Sequence, residues 1–240
     1  MQENYHKWYT QYLKRDFEML VFGNAGIPLI LFPPLKGRYF DYKDVGFIDS
    51  AAQLIDEGKI KIYCPDGIDE QSWTDYEAHP ADRVLNHILY ENTILSDVIE
   101  FAKYESGMKK VAVGGCGFGG YHAVNIAFKH PDKIVNLISL GGTFDIKQFI
   151  HGYYDEECYF NNPPDYMPNL TDDWYLDKIK MMKIILGVGE WDINLEENYR
   201  FSDILNSKGI THWLDVRSYA THDWKWFKEM FPQYLSQLFL

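Results

Sequence analysis

One short stretch limits the folds open to this chain more than any other: "VAVGGCGFGGYHAVNIAFKHP", residues 111–131. An apolar, β-branched run ends in a burst of glycine and then takes on a helical pattern, which predicts a strand that turns abruptly into a helix. Two incompatible motifs fit that turn. Gly115, Gly117 and Gly120 satisfy G-x-G-x-x-G, the loop that brings backbone close to a dinucleotide pyrophosphate. Gly115-Cys116-Gly117-Phe118-Gly119 has the frame of a G-x-S-x-G nucleophile elbow, with glycine where the nucleophile belongs.

The surroundings separate the two. A dinucleotide loop belongs to the first β-α unit of its domain and needs an acidic residue ~20 positions on, to hold a ribose. Here the motif falls mid-chain, after several strand patterns, and the following strand pattern ends in "SLGGT" without an acid. The phosphate-cradling G-x-x-x-x-G-K-[ST] is absent. An elbow instead needs small residues two before and two after its nucleophile, because the turn is tight. With Gly117 in the nucleophile position those neighbours are Gly115 and Gly119, and both fit. With Cys116 they are Gly114 and Phe118, and Phe118 does not.

Around the elbow the chain alternates. "HKWYTQYL", "DFEMLVFG" and "IPLILFP" read as strands, "VGFIDSAAQLIDEG" as a helix ending at Gly58, and "KIKIYC" as a strand. Residues 80–105 read as one long helix opened by Pro80. After the elbow come strand "KIVNLISLGG", strand "MKIILGVG", helix "LEENYRFSDILNSKG", strand "THWLDVRS" and a final helix at 223–239. Repeated β-α alternation predicts an α/β fold with a mainly parallel central sheet, antiparallel N-terminal strands and helices covering it. The 240 residues, 46% hydrophobic, are expected to form a single domain over 1–240. Residues 143–180, crowded with Tyr, Asn and Pro, read as an irregular insertion at a strand's C-terminal end, where such sheets place ligands.

An elbow is usually followed by an acid and then a histidine. "ILGVGEWDIN" puts Asp192 just past a strand, and "YATHDWKWF" puts His222 just past the last one. An acid holds the imidazole's tautomer while the imidazole takes the nucleophile's proton. The plain structural alternative is that Asp192 and His222 cap the helices they precede.

Charge and composition remove several classes. Twenty-three basic against 35 acidic residues give a formal charge of −12, which argues against nucleic-acid or anionic-membrane binding, since both need basic surface. No apolar stretch approaches the ~20 residues that cross a bilayer, and the N-terminal residues show no secretory h-region. Cys64, Cys116 and Cys158 are an odd number without metal-type spacing, so a reduced, cytoplasmic setting and no metal are expected.

With these residues assembled, the chain resembles the cytoplasmic esterase D-like group of the α/β-hydrolase superfamily over nearly its whole length. The resemblance is carried by "FPPLKGRYFDYKDVGFID", "SWTDYEAHPADRVLNHILYE", "GCGFGGYHAVNIAFKHPD", "YFNNPPDYMPNL" and "KGITHWLDVRSYATHDWKWFKEMFPQYL". It implies an α/β-hydrolase fold, hydrolysis of carboxylic esters or related acyl compounds, a small acyl or ester-like ligand, and no cofactor. By this match the catalytic serine aligns with Gly117, the acid with Asp192 and the base with His222. The relatives' loop resembling F-P-T-S-G-G-R-F, which lends an N–H to the oxyanion hole, here contains Pro34, Leu35 and Lys36. Proline has no N–H, so the expected donors are Phe118, after the elbow, with Leu35 or Lys36. Trp73, His79, Arg83, His87, Tyr90 and Glu91 match the same pattern. They are either a hydrogen-bonded patch anchoring the long helix or a polar substrate wall, with Trp73 and Arg83 as the substrate-binding residues. The tyrosine-rich residues 153–166 read as a packed surface loop or a lid. The sequence leaves a homodimer open.

Three functional expectations follow. The first is a hydrolase homologue that has lost ester hydrolysis and binds a ligand or partner. The second is a working hydrolase that uses Cys116, or water activated by His222. The third is an active serine esterase whose serine was deliberately replaced.

Overall fold

A computed structural model describes residues 1–239 of the chain. Eight strands, β1 (Glu3–Thr10), β2 (Arg15–Phe22), β3 (Ile27–Phe32), β4 (Ile60–Pro65), β5 (Val111–Cys116), β6 (Ile134–Leu140), β7 (Lys183–Trp191) and β8 (Trp213–Thr221), form one sheet. Their order is β1-β2-β4-β3-β5-β6-β7-β8. Only β2 runs against its neighbours, pairing antiparallel with β1 and β4; the other pairs are parallel. A hairpin suffices for β1 and β2, whereas parallel neighbours need a crossover. The chain leaves β3 for β4 on one side and returns to β5 on the other. Strand order reverses there, and the C-terminal ends of β3 and β5 open the crevice in which doubly wound sheets bind ligands.

The period-2 alternation of strands sorts side chains into two cores. Ile30 and Phe32 face one layer with Tyr90, Ile94 and Val98 of the long helix and Ala123, Val124 and Ala127 of the elbow helix, Phe118–Lys129. Leu29 and Leu31 face the other, with Phe227, Phe231 and Tyr234 of the C-terminal helix, Trp224–Phe239. The long helix begins at Pro80, with His79 as its cap, and runs through a π-turn at Ile94–Ile99 to Ser106. The helix expected near residues 45–58 is shorter, a 3₁₀ turn Ile48–Ala51 followed by Ala52–Asp56.

The insertion at 143–180 is more regular than its composition indicates. It holds short helices, among them Glu156–Phe160, Pro163–Tyr166 and Asp173–Lys180. Aspartates do the capping: Asp155 accepts from Cys158 N–H and Asp172 from Trp174 N–H. Among the described residues no helix is long and apolar enough to cross a membrane.

Candidate active site

Gly117 links the end of β5 to the elbow helix with φ +56° and ψ −119°, a conformation that side-chain-bearing residues rarely adopt. Its N–H donates to Leu140 O at 2.8 Å, and its carbonyl accepts from Gly120 N–H at 3.0 Å. The flanking glycines are required by contact. A Cβ on Gly115 would lie 2.3 Å from the Gly119 carbonyl carbon, and one on Gly119 would lie 2.3 Å from Phe32 O. Beneath the turn, the fully buried Tyr42 hydroxyl donates to Phe32 O at 2.7 Å and accepts from Cys116 N–H at 2.9 Å. It ties the last residue of β3 to the last residue of β5.

Asp192 follows β7 and His222 follows β8, and the two meet. His222 Nδ1 lies 2.9 and 3.0 Å from the two carboxylate oxygens. The Asp192 side chain is fully buried and that of His222 is 28% exposed. Asn194 N–H donates to Asp192 Oδ1 at 2.8 Å, and the Asn194 amide donates to Gly141 O. A Cβ on Gly141 would come within 2.7 Å of Asp192 Oδ2 and 2.9 Å of His222 Nδ1, so this close approach needs glycine. Neither residue serves chiefly as a cap; Asp223 accepts from Trp226 N–H in the final helix. With Nδ1–H donated to Asp192, Nε2 carries the lone pair. A Cβ at position 117 would lie 3.3 Å from that Nε2. The base therefore faces the elbow, at a position that has no side chain from which to take a proton.

Cys116 sits elsewhere. Its side chain is buried in the core layer of the C-terminal helix. Burial pushes its thiol pKa well up, opposite to what a thiolate nucleophile needs, and it makes no hydrogen bond to His222 among those described. The alternative-nucleophile role expected of Cys116 lacks an activating base in this geometry.

At the loop after β3, Gly37 N–H closes a turn on Pro34 O at 2.8 Å. Lys36 occupies its third position with φ +60°, where glycine is usual. Lys36 N–H donates to Asp69 Oδ2 at 3.0 Å, and Asp69 Oδ1 pairs with His122 Nε2 of the elbow helix, also at 3.0 Å. Because residues 33 and 34 are prolines, Leu35 holds the one uncommitted N–H of residues 33–36 among the described hydrogen bonds. Phe118 opens its helix, so its N–H has no intrahelical acceptor. Leu35's side chain is exposed. The Phe118 ring is buried, stacked on Tyr121 at 4.7 Å and edge-on to Phe149 of the insertion at 5.0 Å.

Trp73, Arg83, His87, Tyr90 and Glu91, which read as either an anchoring patch or a substrate wall, are all buried. Trp73 is fully buried. Arg83 is 3% exposed and committed to two carbonyls, Ala78 O at 3.0 Å and Phe149 O at 2.7 Å, which ties the long helix to the insertion. His87 is buried, and burial, then the neighbouring His122, lowers its pKa well below the usual imidazole value. Tyr90 OH donates to Asp66 O at 3.0 Å, and Glu91 pairs with Lys129 and His130. Residues 153–166 are also fastened: Tyr154 OH and Lys147 both donate to Asp165. Sequence reasoning did not find Tyr42, Asp69, Gly141 or Asn194. Only Asn194 carried a signal, two residues after the acid. Among the described residues no group of three or more His, Cys, Asp or Glu side chains is placed to hold a metal ion.

The sheet order, the elbow after β5 and the acid and histidine after β7 and β8 define an α/β-hydrolase fold. Solved structures share it. A ferulic acid esterase superposes with TM-score 0.79 at 16% identity, covering 99% of this chain and 98% of its own. An S-formylglutathione hydrolase from Agrobacterium tumefaciens gives 0.74 at 11% identity, covering 99% and 95%. A fluorophosphonate-binding serine hydrolase of Staphylococcus aureus gives 0.71 at 15% identity, covering 100% and 98%. At such identities the likeness is one of fold. No family model matches the sequence, and no curated protein does.

Proposed function

We propose that this chain is an esterase-fold protein that binds a small acyl or ester-like ligand and no longer hydrolyses it through a serine. The observation that carries this reading is the pairing of an intact Asp192–His222 dyad with Gly117, whose missing Cβ would lie 3.3 Å from His222 Nε2. Glycine supplies no nucleophile and forms no acyl-enzyme. Removing the serine of such a site costs on the order of 10⁶ in turnover, with roughly 10³–10⁴ over water surviving from oxyanion and binding contacts. The amides of Phe118 and Leu35 are the groups left to meet a ligand carbonyl. The esterase and hydrolase names of proteins with this fold support an acyl or ester-like ligand.

The test is hydrolysis of p-nitrophenyl acetate and butyrate. The chain as it stands should stay near the buffer rate. Gly117→Ser should gain at least about 10²-fold, and Gly117→Ser/His222→Ala should lose that gain. Turnover by the unmodified chain that disappears in His222→Ala would sink the reading. That result would favour the one alternative with geometric support, in which His222 Nε2 takes a proton from water and the hydroxide attacks the ester directly.

A further inference from the structure

The roomiest of the cavities described in the molecule lies away from the dyad. It has a volume of ≈440 Å³, against ≈350 Å³ or less for the others. It sits at the far end of the elbow helix, where Phe128, Lys129 and His130 meet Tyr159, Leu170 and Tyr175 of the insertion. Its volume falls in the range of small-molecule sites, about 300–1,000 Å³, and its walls are largely apolar and aromatic, as such sites are.

Its polar end is built rather than incidental. Lys129 Nζ donates to Glu91 Oε2 at 2.6 Å and to Asn161 Oδ1 at 2.8 Å. An ammonium has three N–H groups, so one remains. Glu91 is 6% exposed and Asn161 fully buried, so both hold the ammonium from below, while the Lys129 side chain keeps 21% exposure. His130 Nε2 bonds Glu91 Oε1 at 2.7 Å, which leaves its Nδ1 on the same side chain without a described partner.

Charge decides the ligand class. Glu91 already balances Lys129. The partial negative charge of a helix C-terminus falls at this end of the elbow helix, and the Asp172 carboxylate borders the cavity, held on Trp174 N–H. The Lys208 ammonium, which donates to Leu170 O at 3.0 Å, is the other cation at this wall. Lys129 and Lys208 are matched by Glu91 and Asp172, so a carboxylate ligand would meet no net positive charge. A neutral carbonyl or amide oxygen would accept the remaining Lys129 N–H with no charge to bury.

We propose that this cavity is a second binding site, for an uncharged small molecule with an aromatic or aliphatic body and one acceptor oxygen. The body lies between Tyr159, Leu170 and Tyr175, and the oxygen meets Lys129. The site is independent of the dyad and of any reading of Gly117.

The probe is 3-phenylpropionamide, titrated into the full-length protein and followed by backbone amide resonances. Saturable shifts are expected at Lys129, Tyr159, Leu170 and Tyr175, with Phe118 and His222 unmoved. 3-Phenylpropionate should bind about 5-fold or more weaker, having exchanged a neutral acceptor for a charge that must be desolvated where cations and carboxylates already balance. Leu170→Trp, which fills the cavity from a half-buried position, should weaken the amide about 10-fold or more while the rest of the spectrum stays native. The proposal is overturned by the absence of saturable shifts in the unmodified protein, by shifts centred on His222, or by the acid binding more tightly than the amide. It is equally overturned if a natively folded Leu170→Trp variant binds the amide unchanged.

Discussion

At residue 117 the backbone and the chemistry pull in opposite directions. A φ of +56° with ψ −119° suits glycine, and any side chain there carries strain on the order of 1–3 kcal/mol. A serine elbow accepts that strain because its hydroxyl is used; this chain carries the strained turn with the residue that relieves it. Two substitutions separate strain from chemistry. Gly117→Ser and Gly117→Ala should each lower unfolding stability by about 1–3 kcal/mol, since both place a Cβ 3.3 Å from His222 Nε2. Only the serine variant should gain ester hydrolysis. Urea denaturation of both, beside the p-nitrophenyl ester assay, makes the comparison. Equal stability of Gly117→Ala and the unmodified chain would mean that the turn is not held as described.

At the scale of elements, the order of strands and helices was legible because hydrophobic period and glycine placement are local. Asp192 and His222 were legible for the same reason: each follows a strand end, and parallel neighbours bring strand ends together. The glycine pair flanking Gly117 was legible from sterics alone. What local pattern could not carry was the identity of partners distant in the chain. Arg83 looks like a free cation on a helix face until Phe149, 66 residues away, is seen to hold it. The insertion looked irregular because its prolines and asparagines argue for loops, while its capping aspartates build several short helices. Tyr42 had no signal at all, yet it joins the two strand ends that frame the elbow. Tyr42→Phe keeps the ring and removes both hydrogen bonds, leaving Cys116 N–H buried without this partner. It should cost about 1–3 kcal/mol and speed hydrogen exchange of the Cys116 amide more than that of amides in β7. A uniform change across the sheet would show that the tie is not local to the elbow.

For the whole molecule, acid stability depends on the polar contacts that lock the long helix to the elbow helix. Burial alone would raise the Glu91 carboxyl, but the hydrogen bond from His130 and the charge of Lys129 outweigh it and bring it down from 4.5 to about 2. The folded value lies below the unfolded one, so the stabilisation is full above pH 4.5 and is lost as pH falls toward 2. At 1.36 kcal/mol per unit the difference is worth roughly 3 kcal/mol. His87 acts earlier in the same descent. Burial lowers its pKa well below 6.5, so the unfolded chain takes up the proton first and stability begins to fall below that pH. Glu91→Gln reports chiefly the carboxylate's share: Glu91 also raises the His87 pKa, but burial and His122 hold that pKa well down and outweigh it. Urea unfolding at pH 7, 5.5, 4 and 3 should show the unmodified chain ahead of Glu91→Gln by a margin that is constant down to about pH 5 and then narrows, as a depressed carboxyl requires. A margin that stays constant down to pH 3 would mean that Glu91 contributes packing rather than charge. In that case the Lys129 ammonium would not be held by an ion pair, and the neutral-ligand argument for the cavity above it would lose its charge balance as well.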